Sequence, residues 1–82
     1  MRATYDEETD GAYIYLRAIG PGEAVQQVLV EDDRLRGDVI LDLDRDGKLL
    51  GIEVLGARSL LPTNVLRPSL WRRFANPNAK PS

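Results

Sequence analysis

The 82-residue chain contains no cysteine and no histidine, and its aromatic complement is one Trp, one Phe and three Tyr. The absence of cysteine excludes a disulfide scaffold, thiolate-bound zinc, an iron–sulfur cluster and thiol catalysis. The absence of histidine removes the commonest general base and the commonest transition-metal ligand. Serines 59, 69 and 82 therefore have no imidazole to activate them. No apolar run approaches the roughly 18–20 residues of a membrane span, and the acidic opening is unlike a signal peptide. These absences lead us to expect a soluble, cytoplasmic protein with no enzymatic activity.

What is present is charge, and it is segregated. All thirteen acidic side chains fall within residues 1–53 beside six basic ones, a net −7, whereas residues 54–82 carry five basic residues and no acid, a net +5. Four of the five prolines (62, 68, 77 and 81) lie in the basic part. The expected organisation is one β-rich domain over residues 1–61 and a basic arm over 62–82. A domain this small buries only about 60% of its unfolded surface, so its core should be thin.

Runs of β-branched and aromatic residues alternate with turn chemistry, the pattern of an antiparallel meander. The expected fold class is α+β: a sheet of four or five strands with a short C-terminal helix packed on it or on a partner subunit. Strands are expected at Arg2–Tyr5, Ala12–Ala18, Ala24–Glu31, Val39–Asp44 and Lys48–Leu55, and a helical turn near Ala57–Leu61. In the second strand, Ala12, Ile14, Leu16 and Ala18 share one face and Tyr13, Tyr15 and Arg17 the other. For the last hairpin, a two-residue Asp46-Gly47 turn sets Val39 opposite Val54, Leu41 opposite Ile52 and Leu43 opposite Leu50. A longer loop would shift the pairing by one and bring Glu53 onto the apolar face.

Residues 42–53, DLDRDGKLLGIE, match an EF-hand calcium loop as a string: acids at 42, 44 and 46, Gly47 at the sharp turn and Glu53 at the end. The flanks have strand rather than helix composition, which favours a hairpin whose acids frame the turn. Weak calcium or magnesium binding at Asp42, Asp44, Asp46 and Glu53 is retained as the alternative function. Otherwise no cofactor is expected. An acid pair such as Asp42 with Glu53 would need a cleft to do catalysis, and a small sheet offers a flat surface. Tyr5, Tyr13 and Tyr15 could stack on bases, but the neighbouring Asp6, Glu7, Glu8 and Asp10 repel phosphate, so nucleic acid is not an expected partner.

Thr4-Tyr5-Asp6 with Glu8, Asp10 and Tyr13-Ile14-Tyr15-Leu16, followed by Val39-Ile40-Leu41-Asp42-Leu43-Asp44, Gly47 and Gly51-Ile52-Glu53-Val54-Leu55, resembles the DUF2283 family of small bacterial proteins over about residues 1–61. The chain departs from that pattern at Thr9 and at Gly11-Ala12. The resemblance implies a compact β-rich module with no established activity and, loosely, a partner-binding role. It also favours the hairpin over the EF-hand.

In the arm, Leu66, Leu70 and Phe74 recur at helical spacing beside Trp71, with Arg67, Arg72 and Arg73 on the remainder. The pattern predicts a short cationic amphipathic helix near Pro68–Ala75, too short to stand alone in water. Its own sheet or a sister subunit's is the favoured acceptor; a foreign protein or an anionic surface such as nucleic acid or membrane are the others. Leu66, Leu70, Trp71, Phe74, Arg72 and Arg73 are thus candidate interface residues. The expected partners are a second copy of the chain and a basic protein, with no membrane.

Overall fold

The computed structural model describes residues 1–62 and residue 65. Five strands, β1 (Arg2–Asp6), β2 (Gly11–Tyr15), β3 (Gln26–Val30), β4 (Asp38–Leu43) and β5 (Leu49–Leu55), are followed by a helical turn, α1 (Ala57–Leu60). The strands form the expected antiparallel meander sheet, in the order β1-β2-β5-β4-β3. One pair of neighbours, β2 and β5, is not consecutive in the chain, so the β1–β2 hairpin docks against the last strand of the β3–β4–β5 meander. Strands β1 and β3 are the two edges.

Register assigns the faces. Ala3, Ile14, Ile52, Leu41 and Val28 form one cross-strand row, and Tyr5, Ala12, Val54, Val39 and Val30 the next. That face is apolar. Its packed centre is Ala12, Val54 and Ala57, surrounded by Ala3, Tyr5, Ile52, Leu60, Leu61 and Val65. The whole set of buried hydrophobics among the described residues is Ala12, Leu50, Val54 and Ala57, two of them alanines, so the core is as thin as the chain length implies. α1 is a single turn rather than a packing layer, and it ends at Leu60, where Leu61 turns extended while its N–H still reaches the Ala57 carbonyl at 2.8 Å. The expected arm helix near Pro68–Ala75 lies outside the described residues.

Three strands are shorter than expected, β5 by one residue only, since it begins at Leu49 rather than Lys48. Strand β2 stops at Tyr15, the partner of Arg2 at the start of β1, and Leu16 adds one bond to the Leu50 carbonyl (3.0 Å) before the chain bends away. Beyond it Arg17 turns to Glu23, with both guanidinium–carboxylate contacts at 3.1 Å. Strand β3 occupies only Gln26–Val30 of the expected Ala24–Glu31.

The β4–β5 hairpin corrects one expected pair. Val39 faces Val54 and Leu41 faces Ile52 as the apolar pattern requires, but Leu43 faces Leu49, not Leu50. The connection is a three-residue loop: the Gly47 N–H bonds the Asp44 carbonyl (3.0 Å) and the Asp44 N–H bonds the Lys48 carbonyl (2.9 Å). Gly47 at φ 81° supplies the left-handed residue that such a type I turn with a bulge needs. The longer loop does shift the register by one, and an irregularity at Asp42/Leu43 shifts it back. Leu50 is the extra residue, and it is buried to 1% exposure. A bulge thus reconciles the favoured loop with the only register that keeps Glu53 off the apolar face. Leu50→Ala should lower stability by about 2–4 kcal/mol through lost transfer energy and an unfilled cavity, read as a lower urea midpoint with unchanged slope.

Candidate functional site

The opposite face carries the polar chemistry. Arg2, Tyr15, Gly51, Asp42 and Gln27 form one cross-strand row, and Thr4, Tyr13, Glu53, Ile40 and Leu29 the adjacent one. Because Gly51 has no side chain, the Tyr13 ring leans diagonally out of its own row and lies over it. A Cβ at residue 51 would come within 2.5 Å of the Tyr13 ring and hydroxyl. From there the Tyr13 hydroxyl donates to Asp42 Oδ2 at 2.5 Å, and Gln27 Nε2 donates to Asp42 Oδ1 at 3.1 Å. Asp42 is the one buried charged residue among those described, at 6% exposure, and each of its oxygens has a donor. Tyr13 and Tyr15 pack with ring centroids 4.6 Å apart, and the Arg2 guanidinium sits 5.0 Å from the Tyr15 ring centre, so the cluster runs from one edge strand to the other.

Burial, then the hydrogen bond to Asp42, then the charges of Asp42 and Glu53 push the Tyr13 phenol far above its ordinary value. Ionising it would set a phenolate against a carboxylate in a dry place. Tyr13 therefore remains a proton donor through the neutral range, and the arrangement is a clamp that joins β2, β5, β4 and β3.

A second polar knot closes the other end of the β1–β2 hairpin. Asp10, at φ 56°, accepts the Tyr5 hydroxyl (2.9 Å) and the Arg58 N–H (3.0 Å) on Oδ1, while its carbonyl accepts the N–H groups of Gly56 (3.0 Å) and Ala57 (2.9 Å). Burial and the bond to Asp10 raise the Tyr5 phenol as well. Here one residue of a turn fixes the path of the chain from β5 into α1.

The acids of the calcium-loop string are dispersed by these tasks. Asp42 is taken by Tyr13 and Gln27 in β4. Asp44 Oδ1 accepts the N–H groups of Asp46 (2.8 Å) and Lys48 (2.9 Å), so it caps the hairpin loop. Asp46 lies in that loop and Glu53 in β5 between Tyr13 and Ile40. Among the described residues no group of three or more carboxylates is placed to hold a metal ion. No helix among them is long and apolar enough to cross a membrane. Of the candidate interface residues, Leu66, Leu70, Trp71, Arg72, Arg73 and Phe74 lie outside the described part, although Leu61 and Val65 just before them already pack on the apolar face.

Tyr5, Asp10, Tyr13, Asp42 and Gly51, which build the two knots, are among the residues that carry the resemblance noted in the sequence. A family model described as "Protein of unknown function (DUF2283)" matches residues 2–58. The chain belongs to the DUF2283 family. Comparison with curated proteins and with solved structures gave no match. The DUF2283 match spans all five strands and ends within α1.

Alternation puts Tyr13 and Asp42 each on the side of its strand away from the apolar row, but sequence reasoning missed that Gly51 brings them together. The signal was a glycine inside an otherwise β-rich run, which marks a close approach. A Tyr13→Phe substitution should cost about 1–3 kcal/mol, because Asp42 keeps its burial and loses a donor. The pH dependence follows from the sign of the shift: a phenol raised on folding stabilises the fold below the unfolded-state value of about 10 and ceases to do so as pH rises through the folded value. Wild-type stability should therefore fall above about pH 10, and the fall should be shallower in Tyr13→Phe, as measured by urea unfolding across the alkaline range.

Proposed function

We propose that this DUF2283 protein is a non-enzymatic interaction module that works as a homodimer. The observation that carries this reading is a set of large apolar side chains left in water by a single sheet: Val25 (57% exposed), Leu29 (49%), Val28 (44%), Leu49 (39%) and Leu16 (36%). Among the described residues the sheet and its one-turn helix leave these side chains uncovered, and association with a second copy buries part of them. The tasks found for the polar groups support the same reading. Tyr13 and Asp42 hold each other, Asp44 caps a turn and Asp10 ties a corner, so the most buried acids serve the fold rather than a reacting substrate.

The basic segment 62–82 belongs to this picture as a cover for the apolar face, its own or the sister subunit's, with the net −7 of residues 1–53 orienting its net +4. Exposed ion pairs contribute about 0–1 kcal/mol each, so their role is orientation and the driving force is apolar burial. The same acidic surface suits the protein to a basic partner. Sedimentation equilibrium of the full chain at micromolar concentration is expected to give twice the chain mass, and to do so still at high salt because the association is apolar. A monomer at all concentrations would refute the homodimer.

A further inference from the structure

The two edges of the sheet differ in kind. Strand β1 begins with Arg2 and ends with Asp6, and its middle residues are half-buried against the core. Charge and cover are the usual devices that keep an edge from recruiting another strand. Among the described residues, strand β3 has neither. The stretch Val25–Val30, Val-Gln-Gln-Val-Leu-Val, contains no charge and no proline, and four of the five β3 residues are exposed. No strand among the described residues lies on its outer side. Its two polar side chains are drawn inward over β4: Gln26 Nε2 donates to the Asp44 carbonyl at 2.9 Å and Gln27 Nε2 to Asp42 at 3.1 Å. What remains along the open edge is backbone together with Val25, Val28 and Leu29.

We propose that β3 is where two copies of this chain join, edge to edge and antiparallel, into one sheet running through both. The proposal rests on the homodimer reading above and names its surface. A second copy fits this edge for three reasons. First, an antiparallel pair of identical strands has its two-fold axis normal to the sheet, so one residue lies opposite itself and each face continues into its counterpart. With Leu29 as the residue opposite its own copy, Val28 of each strand faces Val30 of the other, so both valine rows are extended by the partner and the apolar face is enlarged. Second, the edge is uncharged, so self-pairing sets no like charges opposite each other. Third, the antiparallel sense places the acidic end of one strand, Glu31 to Asp33, beside the Val25 end of the other and away from its own copy. A foreign strand would satisfy the backbone equally, but only a second copy supplies matching valine rows and staggered acids together.

The absence of cysteine makes the test direct. A single cysteine is introduced in turn at residues 26 to 30 of the full chain, with Thr4→Cys on β1 as the control edge, and each variant is oxidised and run without reductant. Disulfide-linked dimers should peak at one or two β3 positions and be absent from Thr4→Cys. Leu29→Lys, at a half-exposed position that can hold a lysine in the monomer, should sediment as a monomer with unchanged circular dichroism, its dimer affinity reduced at least tenfold. If the wild type is a dimer that persists in Leu29→Lys and no β3 cysteine links, the edge assignment is overturned while the homodimer stands. If the wild type is a monomer, both fall. Should Leu29→Lys fail to fold, the cysteine scan alone decides, and linkage at residue 4 instead of β3 also overturns the assignment.

Discussion

The structure depends on a carboxylate buried on the face of a sheet. Asp42 has 6% of its surface exposed, and a charge in that position is tolerated only with its oxygens satisfied. One donor, Gln27, is its neighbour on β3; the other, Tyr13, comes from β2, two strands away, and must cross β5 to arrive. The crossing is possible only where β5 has no side chain, and Gly51 stands at that point. A glycine inside a strand is unfavourable by itself, being flexible when unfolded and offering nothing to pack. Here its cost is offset because it admits a ring and a hydrogen bond that tie the β1–β2 hairpin to the β3–β4–β5 meander. The β2–β5 seam is the join between non-consecutive strands, so a fastening across it decides whether the two parts form one sheet.

The opposite face explains why such fastening is needed. With Ala12, Val54 and Ala57 as its packed centre, apolar burial supplies little free energy. The one turn of α1 reaches the sheet because Asp10 grips the backbone of Gly56, Ala57 and Arg58. Packing, set by that grip, gathers around β1, β2 and β5, where Ala3, Tyr5, Ile52, Leu60, Leu61 and Val65 meet. The far side of the sheet, β3 especially, is left with exposed valines and leucine, and the asymmetry of cover becomes an asymmetry of stickiness.

Much of this was legible in the sequence, and what escaped it has definite physical causes. Alternation placed Tyr13 and Tyr15 opposite Ala12 and Ile14, and parity set Val39 against Val54 and Leu41 against Ile52. The Leu43 pairing failed because parity excludes a longer loop only in a regular ladder. Asp44 and Gly47 build a three-residue loop, and a bulge at Leu50 absorbs the extra residue. A bulge is set by competition between loop and register, and no single residue announces it. The acids at 42, 44, 46 and 53 matched a cation loop as letters, yet two of them have partners fixed by the sheet and the turn. Which partner a carboxylate takes is a property of the cross-strand neighbours, which residue spacing along one strand does not encode.

The same contrast bears on the uncharged edge. This chain is 29% charged, and its other edge strand carries Arg2 and Asp6 at its ends. A seven-residue stretch from Ala24 to Val30 without charge, at the edge that among the described residues also lacks cover, therefore stands apart from its surroundings. Folding alone gives no reason to leave it so. A lysine at position 29 would be solvated in the monomer and would remove the aggregation hazard that an open apolar edge presents. The hazard is neutralised equally well if the edge is occupied, and an occupied edge gains from the valines that an empty one merely exposes. The composition of β3 makes physical sense as half of a strand pair, in the same way that Gly51 makes sense only with Tyr13 lying across it.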